Sequence, residues 1–223
     1  MTFHIITIFP EVFENYFSVG VLGRGRKKQL VDFKIYDLRA FAFDKHRKVD
    51  DTPFGGGPGM VLKIEPIFRA LEKIKSDLKE AGIKKSDIKT IVLSAKGKIF
   101  NQKKAVKFSS LKHLILIAGR YEGIDERVAE NLADEEISVG RFVLSGGEIP
   151  AMLVVDAVTR LVPGVLGNVN SLTSESYNPQ DKENEKDFPV YTQPRNFRGW
   201  QVPEILFSGD HQKIKNWRNS KRK

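Results

Sequence analysis

The side chains in this sequence best suited to moving a proton are carboxylates. No Ser-His-Asp or Cys-His arrangement stands out, and the chain has no cysteine and four histidines. That removes a thiol nucleophile, a thiolate metal site and a disulfide framework, and it leaves little for a zinc centre. The candidates for acid–base work are Glu122, Asp125, Glu126, Asp156 and Glu175. Most have an ordinary reading as well. Asp125 and Glu126 stand near the start of a helix-like segment, where the helix dipole favours acids. Asp156 suits a surface or capping position. Arg160, near the end of an apolar helix-like segment, complements the dipole there.

A second kind of chemistry is available to the main chain. Residues 113–152 hold two apolar runs that read as buried parallel strands, 114–118 and 137–144. Each run empties into a glycine-containing turn, Gly119-Arg120-Tyr121-Glu122-Gly123 and Ser145-Gly146-Gly147-Glu148, and each turn leads into a helix-like segment. In open α/β sheets ligands sit where strand ends give way to loops. Two such turns from neighbouring strands would form one site walled mostly by backbone N–H and C=O groups, which suits a flat, polar ligand. The run Gly55-Gly56-Gly57-Pro58-Gly59-Met60 is different. No Gly-Lys-Ser/Thr follows it and the GxGxxG spacing is absent, so a nucleoside triphosphate loop is disfavoured. It is a place where backbone can approach RNA, a ligand or another subunit, and a demanding turn accounts for it equally well.

The elements that must position these groups alternate. Residues 3–9 read as a strand ending at Pro10, 11–17 as a short helix, 24–28 as part of a basic loop and 31–38 as a strand. Residues 41–59 lack periodicity and read as a long functional loop mixing charges with Phe41, Phe43 and Phe54. The clearest helix spans 64–81, with apolar residues at Ile64, Ile67, Phe68, Leu71, Ile74 and Leu78, Pro66 in its first turn and Gly82 at its end. A strand over 89–94, the turn Ala95-Lys96-Gly97 and a helix over 101–108 precede the central stretch, and a helix over 149–162 follows it. This order predicts an α/β fold with a mostly parallel sheet and helices on both faces. Residues 168–187 are polar and read as a mobile linker. Residues 188–223 form a small piece ending in a helix over 209–219, with Ser208 as its N-cap.

The chain is long enough for one large domain, or a medium one and a small one, and its 40% hydrophobic content supports a real core. No run is long enough to span a bilayer and no signal peptide opens the chain, which predicts a cytoplasmic protein with no membrane partner. The net charge of +9 is concentrated at 24–28, at 45–48 and in 213–223, where six Lys or Arg occur without an acid. Nucleic acid is the leading explanation for such clustering, although a lysine-biased surface alone produces similar charge.

Several stretches together resemble one family. Asp44-Lys45-His46-Arg47-Lys48-Val49-Asp50-Asp51, followed by Thr52-Pro53-Phe54 and the glycine-rich run to Met60, looks like the signature of the bacterial tRNA (guanine-N1)-methyltransferases, the TrmD family of SPOUT methyltransferases. So do Ala118 to Arg127, Ile137-Ser138-Val139-Gly140, Val143 to Glu148, and Arg160-Leu161-Val162-Pro163-Gly164-Val165-Leu166-Gly167. The motifs occur in family order over nearly the whole chain.

The resemblance implies a SPOUT-type parallel sheet flanked by helices, a deep trefoil knot in the C-terminal half, and a small, mainly helical C-terminal domain. It implies domains at 1–167 and 188–223, the latter binding tRNA, joined by a linker that carries the base. It implies an obligate homodimer with active sites at the subunit interface, S-adenosyl-L-methionine bent into the knot, and Mg²⁺ dependence with no ligands marked in the sequence. Carried over position by position, the cofactor pocket draws on Ser94, Ala95 and Gly97, and on Gly119, Tyr121 and Glu122. It continues through Ser138, Val139, Gly140, Arg141, Phe142, Val143 and Leu144, and ends on Gly146 and Gly147. Substrate contacts fall on Asp50, Gly55, Gly57, Gly59, Met60 and Ser176. The implied reaction is methylation of N1 of the guanosine just 3′ of the tRNA anticodon, which supports reading-frame maintenance.

Guanine N1 is a poor nucleophile until its proton is lost, so a carboxylate must take that proton and a cation must face the charge developing on O6. The family pattern assigns the cation to Arg160 and the base to position 175, where the usual Asp is Glu175. A Glu is one methylene longer, and misplacement by about 1 Å can cost on the order of 100-fold in rate. Two readings follow: an active methyltransferase whose linker adapts to Glu175, or a weakened, non-catalytic RNA-binding SPOUT protein. Other departures are Ala95 for a usual Pro, Phe142 for Tyr and Gln193 for Arg. The chain also stops at Lys223, where family members usually continue, so its basic tail is expected to contribute salt-sensitive phosphate contacts.

Overall fold

The computed structural model describes residues 1–167, 175–177 and 186–222. The chain divides into two compact units, Met1–Gly167 and Asn168–Lys223.

The first unit is built on a five-stranded parallel sheet. In chain order its elements are β1 (Thr2–Thr7), α1 (Glu14–Phe17), α2 (Gly20–Lys27), β2 (Asp32–Asp37), the short strands β3 (Asp50–Asp51) and β4 (Val61–Leu62), α3 (Ile64–Glu80), β5 (Ile88–Ile99), α4 (Gln102–Ser109), β6 (His113–Ala118), α5 (Glu126–Asn131), β7 (Glu135–Ser138) and α6 (Glu148–Thr159). The sheet order is β2-β1-β6-β5-β7. The register runs Phe3↔Leu114 and Ile5↔Leu116 between β1 and β6, and Ile91↔Leu116 and Leu93↔Ala118 between β5 and β6. β3 and β4 pair antiparallel outside this sheet.

Period-two alternation sorts the strand residues onto two cores. Phe3, Ile5, Leu114, Leu116 and Ile91 pack with Phe13, Phe17, Phe108, Val154 and Val158 from α1, α4 and α6 and the turn before α1. Ile6, Ile115, Ile117 and Val92 pack instead with Ile67, Leu71 and Ile74 of α3 and Val128 of α5. Helices therefore cover both faces, which is why the strands read as continuous apolar runs. Each fully buried Leu, Ile or Phe contributes roughly 1.5–3 kcal/mol.

α3 follows its apolar spacing except at Phe68, which is 42% exposed because it lies off the buried stripe of Ile67, Ala70, Leu71, Ile74 and Leu78. Gly82, at φ +74°, ends the helix, and the Ile83 N–H donates to the Leu78 carbonyl at 2.9 Å.

Three elements correct the sequence-based expectation. The basic stretch at 24–28 is not a loop: Gly20–Lys27 is a helix. Three glycines, each costing about 1 kcal/mol against Ala, hide it from propensity. Packing requires one of them and favours another: a Cβ on Gly23 would run into the Ser18 carbonyl, and one on Gly25 would press on Val31 Cγ2 at 3.0 Å. The strand expected over 137–144 stops at Ser138, whose hydroxyl donates to the Gly140 carbonyl at 2.8 Å and so holds a local turn in place of a ladder. β5 continues beyond the turn at 95–97, and its pairing with β7 shifts register between Leu93 and Lys98.

The second unit contains β8 (Asn196–Phe197), β9 (Trp200–Gln201) and α7 (His211–Lys221). Asp210, not Ser208, caps α7, accepting from the Lys213 N–H at 3.0 Å. The Ser208 hydroxyl donates to the Ile205 carbonyl and closes the preceding turn. Cations lie over rings: Arg195 is 4.2 Å from the Phe207 centroid and Arg218 is 4.9 Å from that of Phe188. Most of the expected linker, 168–174 and 178–185, lies outside the described residues. Among the described residues no helix is long and apolar enough to cross a membrane.

A histidine pair sits under the sheet at the start of the strands. His4 is buried, with Nδ1 3.0 Å from the Tyr36 hydroxyl and Nε2 3.1 Å from His113 Nδ1. Burial, then the neighbouring His113 and Lys34, push its pKa down to about 4. The native state thus holds fewer protons at His4 than the unfolded chain, where the pKa is about 6.5. Stability from this site is complete above pH 6.5 and is lost as pH falls toward 4, on the order of 3 kcal/mol in all. Urea midpoints measured from pH 7.5 to 4.5 should fall through this window, and His4→Phe should flatten that slope.

Candidate functional site

The carboxyl ends of β5, β6 and β7 open on a cleft of about 270 Å³. The turn after β6 supplies one wall. Tyr121 is held there at φ +60°, uncommon for a side chain this large, and it is half exposed. The opposite wall is the irregular 139–147 segment. It does not come from a neighbouring strand, as the sequence suggested: β5 lies between β6 and β7. The segment crosses the end of β5 and returns to the β6 turn. There the Gly147 N–H donates to the Gly119 carbonyl at 2.7 Å, and Arg120 and Gly146 form an antiparallel bridge. Gly147 approaches so closely that a Cβ would lie 2.6 Å from Ala118 Cα. The β5 bulge completes the site, where Gly97 passes so close to Ile137 that a Cβ would strike the Ile137 backbone nitrogen.

Ser94, Ala95, Gly119, Tyr121, Glu122 and Ser138 all line this cleft, as do Val139, Phe142, Val143, Leu144, Gly146 and Gly147. Three expected residues do not. Gly97 packs behind it on Ile137; Gly140 packs under the Phe142 ring; Arg141 is absent from the lining. The glycine-rich run reaches the cleft's edge through its last residues. The Glu122 N–H donates to the Met60 carbonyl at 3.0 Å, and a Cβ on Gly59 would lie 2.6 Å from Glu122 Oε1. Gly55 and Gly57, both at positive φ, have no atoms near their absent side chains, and Asp50 pairs with Leu62 in the β3–β4 ladder.

Of the remaining candidates, Asp125 and Glu126 also line the cleft but are engaged there, whereas Asp156 and Arg160 are not part of its lining. Asp125 caps α5 and is bound by the Arg127 guanidinium at 2.6 Å, a hydrogen bond that holds its carboxyl below the ordinary carboxylate range. Glu126 is paired with Lys96. Asp156 accepts from the Tyr16 hydroxyl at 3.1 Å. Arg160 is the C-cap of α6, so about 18 Å of helix separates it from Gly147 at 1.5 Å per residue. In the second unit, Glu175 is half-buried and the Ser176 hydroxyl accepts from the Asp187 N–H at 2.8 Å.

Sequence reasoning missed one buried group. Glu148, the first residue of α6, is 2% exposed and accepts from the Thr7 hydroxyl and from Arg120 Nε, each at 2.8 Å. No local pattern could reveal it, because Thr7 and Glu148 are 141 residues apart.

A backbone-walled cleft with aromatic and aliphatic sides suits a nucleoside-like ligand. A model of the family described as tRNA (Guanine-1)-methyltransferase TrmD matches residues 1–223. The chain belongs to the TrmD family. A relative from Dictyoglomus turgidum, named tRNA (guanine-N(1)-)-methyltransferase, is 52% identical over 96% of this chain and 82% of its own length. One of the same name from Koribacter versatilis is 48% identical over 98% of this chain and 86% of its own. The crystal structure of tRNA (m1G37) methyltransferase from Aquifex aeolicus superposes with a TM-score of 0.78 at 39% identity, covering 97% of this chain and 87% of that one. TrmD relatives of this likeness support an enzyme; they give no support to a non-catalytic RNA-binding protein.

Proposed function

We propose that this chain methylates N1 of the guanosine immediately 3′ of the anticodon in tRNA, using S-adenosyl-L-methionine. The observation that carries the reading is the TrmD family match across the whole chain, which falls on a cleft whose walls are the motif turns themselves. As a TrmD member the chain is a tRNA (guanine-N1)-methyltransferase, and membership implies use of this cofactor.

The residues at the cleft fit the cofactor. Main-chain groups at 119–121 and 138–147 offer donors and acceptors for a nucleoside, and Phe142 and Leu144 offer apolar contact. Of the carboxylates on the lining, Asp125 and Glu126 are already paired, which leaves Glu122 and Glu136 toward a cationic ligand. Once bound, S-adenosyl-L-methionine supplies an electrophilic methyl, so the protein need form no covalent intermediate. Glu175 takes the N1 proton, and the guanidinium of Arg160 faces the charge that develops on O6. The target base leaves its stack to reach the cleft.

The reading extends to a SPOUT fold with a trefoil knot in its C-terminal half. What supports the knot is the 139–147 segment crossing the end of β5 to reach the β6 turn. It extends to a homodimer. About 15 Å of helix lies between Pro150, where α6 borders the cleft, and Arg160; this supports a site completed by a second copy, as do Val143, Leu144, Ile149 and Leu153, which are exposed beside the cleft and on α6. The same reading assigns the base to a linker over 168–187 and tRNA binding to 188–223. It adds a dependence on Mg²⁺, whose ligands stay unassigned, and places the enzyme in the cytoplasm.

The test is methyl transfer from labelled S-adenosyl-L-methionine to an unmodified tRNA transcript with guanosine 3′ of the anticodon, alongside a transcript with adenosine there. Transfer to the guanosine form alone, recovered as N1-methylguanosine, is expected. Equal transfer to both transcripts, or none to either while cofactor and tRNA bind, overturns the assignment.

A further inference from the structure

The contact between the two cleft turns rests on a closed ring of four residues from three places in the fold: Thr7 and Phe9 at the end of β1, Arg120 after β6 and Glu148 at the start of α6. The Thr7 hydroxyl, at the end of β1, donates to Glu148 Oε1 and accepts from the Phe9 N–H at 3.0 Å. Arg120 donates from Nε to Glu148 Oε2, and its guanidinium lies 4.6 Å from the Phe9 ring centroid. From the same guanidinium Nη1 donates to the Ser145 carbonyl at 3.2 Å. Gly146 lies against the Arg120 side chain so closely that a Cβ would meet Nε. One arginine thus spans the 119–121 turn and the 145–147 segment, and its orientation is set by a carboxylate buried behind the cleft.

Burying a carboxylate against a partly exposed arginine is an expensive way to hold helix and sheet together, since apolar residues of similar volume often do so as well. What it adds is a fixed direction: a planar guanidinium with two acceptors in two different segments has one orientation. Glu148 does not line the cleft, whereas Arg120, Gly119, Tyr121, Ser145, Gly146 and Gly147 do.

We infer that Glu148 is a positioning residue for the cofactor cleft, acting through Arg120 to keep the two backbone turns locked at the spacing that admits S-adenosyl-L-methionine. The inference rests on the proposed cofactor reading of this cleft. Glu148→Gln keeps the side-chain shape but provides one carbonyl oxygen where Thr7 and Arg120 each use a carboxylate oxygen. It should raise the KM and Kd for S-adenosyl-L-methionine about 10- to 100-fold, the range that follows from losing a hydrogen bond to a charged group. The kcat at saturating cofactor should stay within about threefold, and the KM for tRNA should not move.

Calorimetric titration of wild type with S-adenosyl-L-methionine comes first, because its failure to bind would count against the cofactor reading itself. With wild-type binding established, an unchanged cofactor KM and Kd in Glu148→Gln, whatever happens to its melting temperature, overturns the inference. A loss of kcat in proportion to active enzyme with KM unchanged marks a merely structural role and overturns it too. Should Glu148→Gln fail to fold, Arg120→Lys carries the same test, because it leaves a cation beside Glu148 but cannot reach both Glu148 and Ser145. Its Kd for S-adenosyl-L-methionine, read by the same titration, must rise, and an unchanged Kd sinks the inference.

Discussion

Glu175→Gln is expected to slow single-turnover methyl transfer by about 10²- to 10⁴-fold, the usual contribution of a positioned general base. The substitution preserves shape and removes the ability to accept and hold the N1 proton. Binding of S-adenosyl-L-methionine and of tRNA should change by no more than a few-fold, because neither ligand's affinity depends on proton removal. The neighbouring Ser176 hydroxyl accepts from the Asp187 N–H at 2.8 Å, which ties the residue after Glu175 to a point eleven positions on. Glu175→Asp then separates two cases. If this chain has adapted to the longer arm, Asp withdraws the oxygen by about 1 Å and the rate drops on the order of 100-fold. A faster Asp variant would mean that Glu175 is a compromise. Wild-type rates in Glu175→Gln would remove Glu175 from the chemistry altogether.

The second large effect belongs to Gly147→Ala, which should abolish saturable S-adenosyl-L-methionine binding at concentrations around 100 times the wild-type Kd. The added Cβ would lie 2.6 Å from Ala118 Cα and 2.7 Å from the Gly119 nitrogen, and both are backbone atoms that cannot rotate away. Ordinary carbon contacts need roughly 3.5–4 Å, so the two turns must part by about 1 Å. The Gly147-to-Gly119 hydrogen bond at 2.7 Å would be lost with them. Overpacking of this kind costs about 1–3 kcal/mol of stability, which the fold should survive. Calorimetric titration beside a thermal melt checks it. Near-normal cofactor affinity in a folded Gly147→Ala protein would show that the cleft does not depend on the two turns touching.

Much of this molecule is legible in its sequence, and the reasons are local. The alternation of apolar strand runs with helix-period segments determined an α/β fold with a parallel sheet covered on both faces. The stripe of Ile67, Leu71, Ile74 and Leu78, with Pro66 and Gly82 at its ends, determined α3. The motif turns at 119–123 and 145–148 marked the cleft, because glycines clustered in a turn signal close backbone approach wherever the preceding strand ends.

The tertiary structure decided what depends on distant partners. Gly20–Lys27 is helical despite its glycine content, and its glycines answer to packing: a Cβ on Gly23 would strike the Ser18 carbonyl and one on Gly25 would press on Val31. Residues 139–144 are too apolar to be told from a strand by pattern, yet Ser138 turns the chain out of the ladder and carries it across β5 to the β6 turn. Thr7, Arg120 and Glu148 read separately as a strand threonine, a turn arginine and a helix-start acid. Only folding closes the 141-residue gap that makes the threonine and the acid parts of one buried network. Periodicity and propensity act over a few residues, whereas strand order and side-chain contacts across the sheet are set by packing the whole core at once.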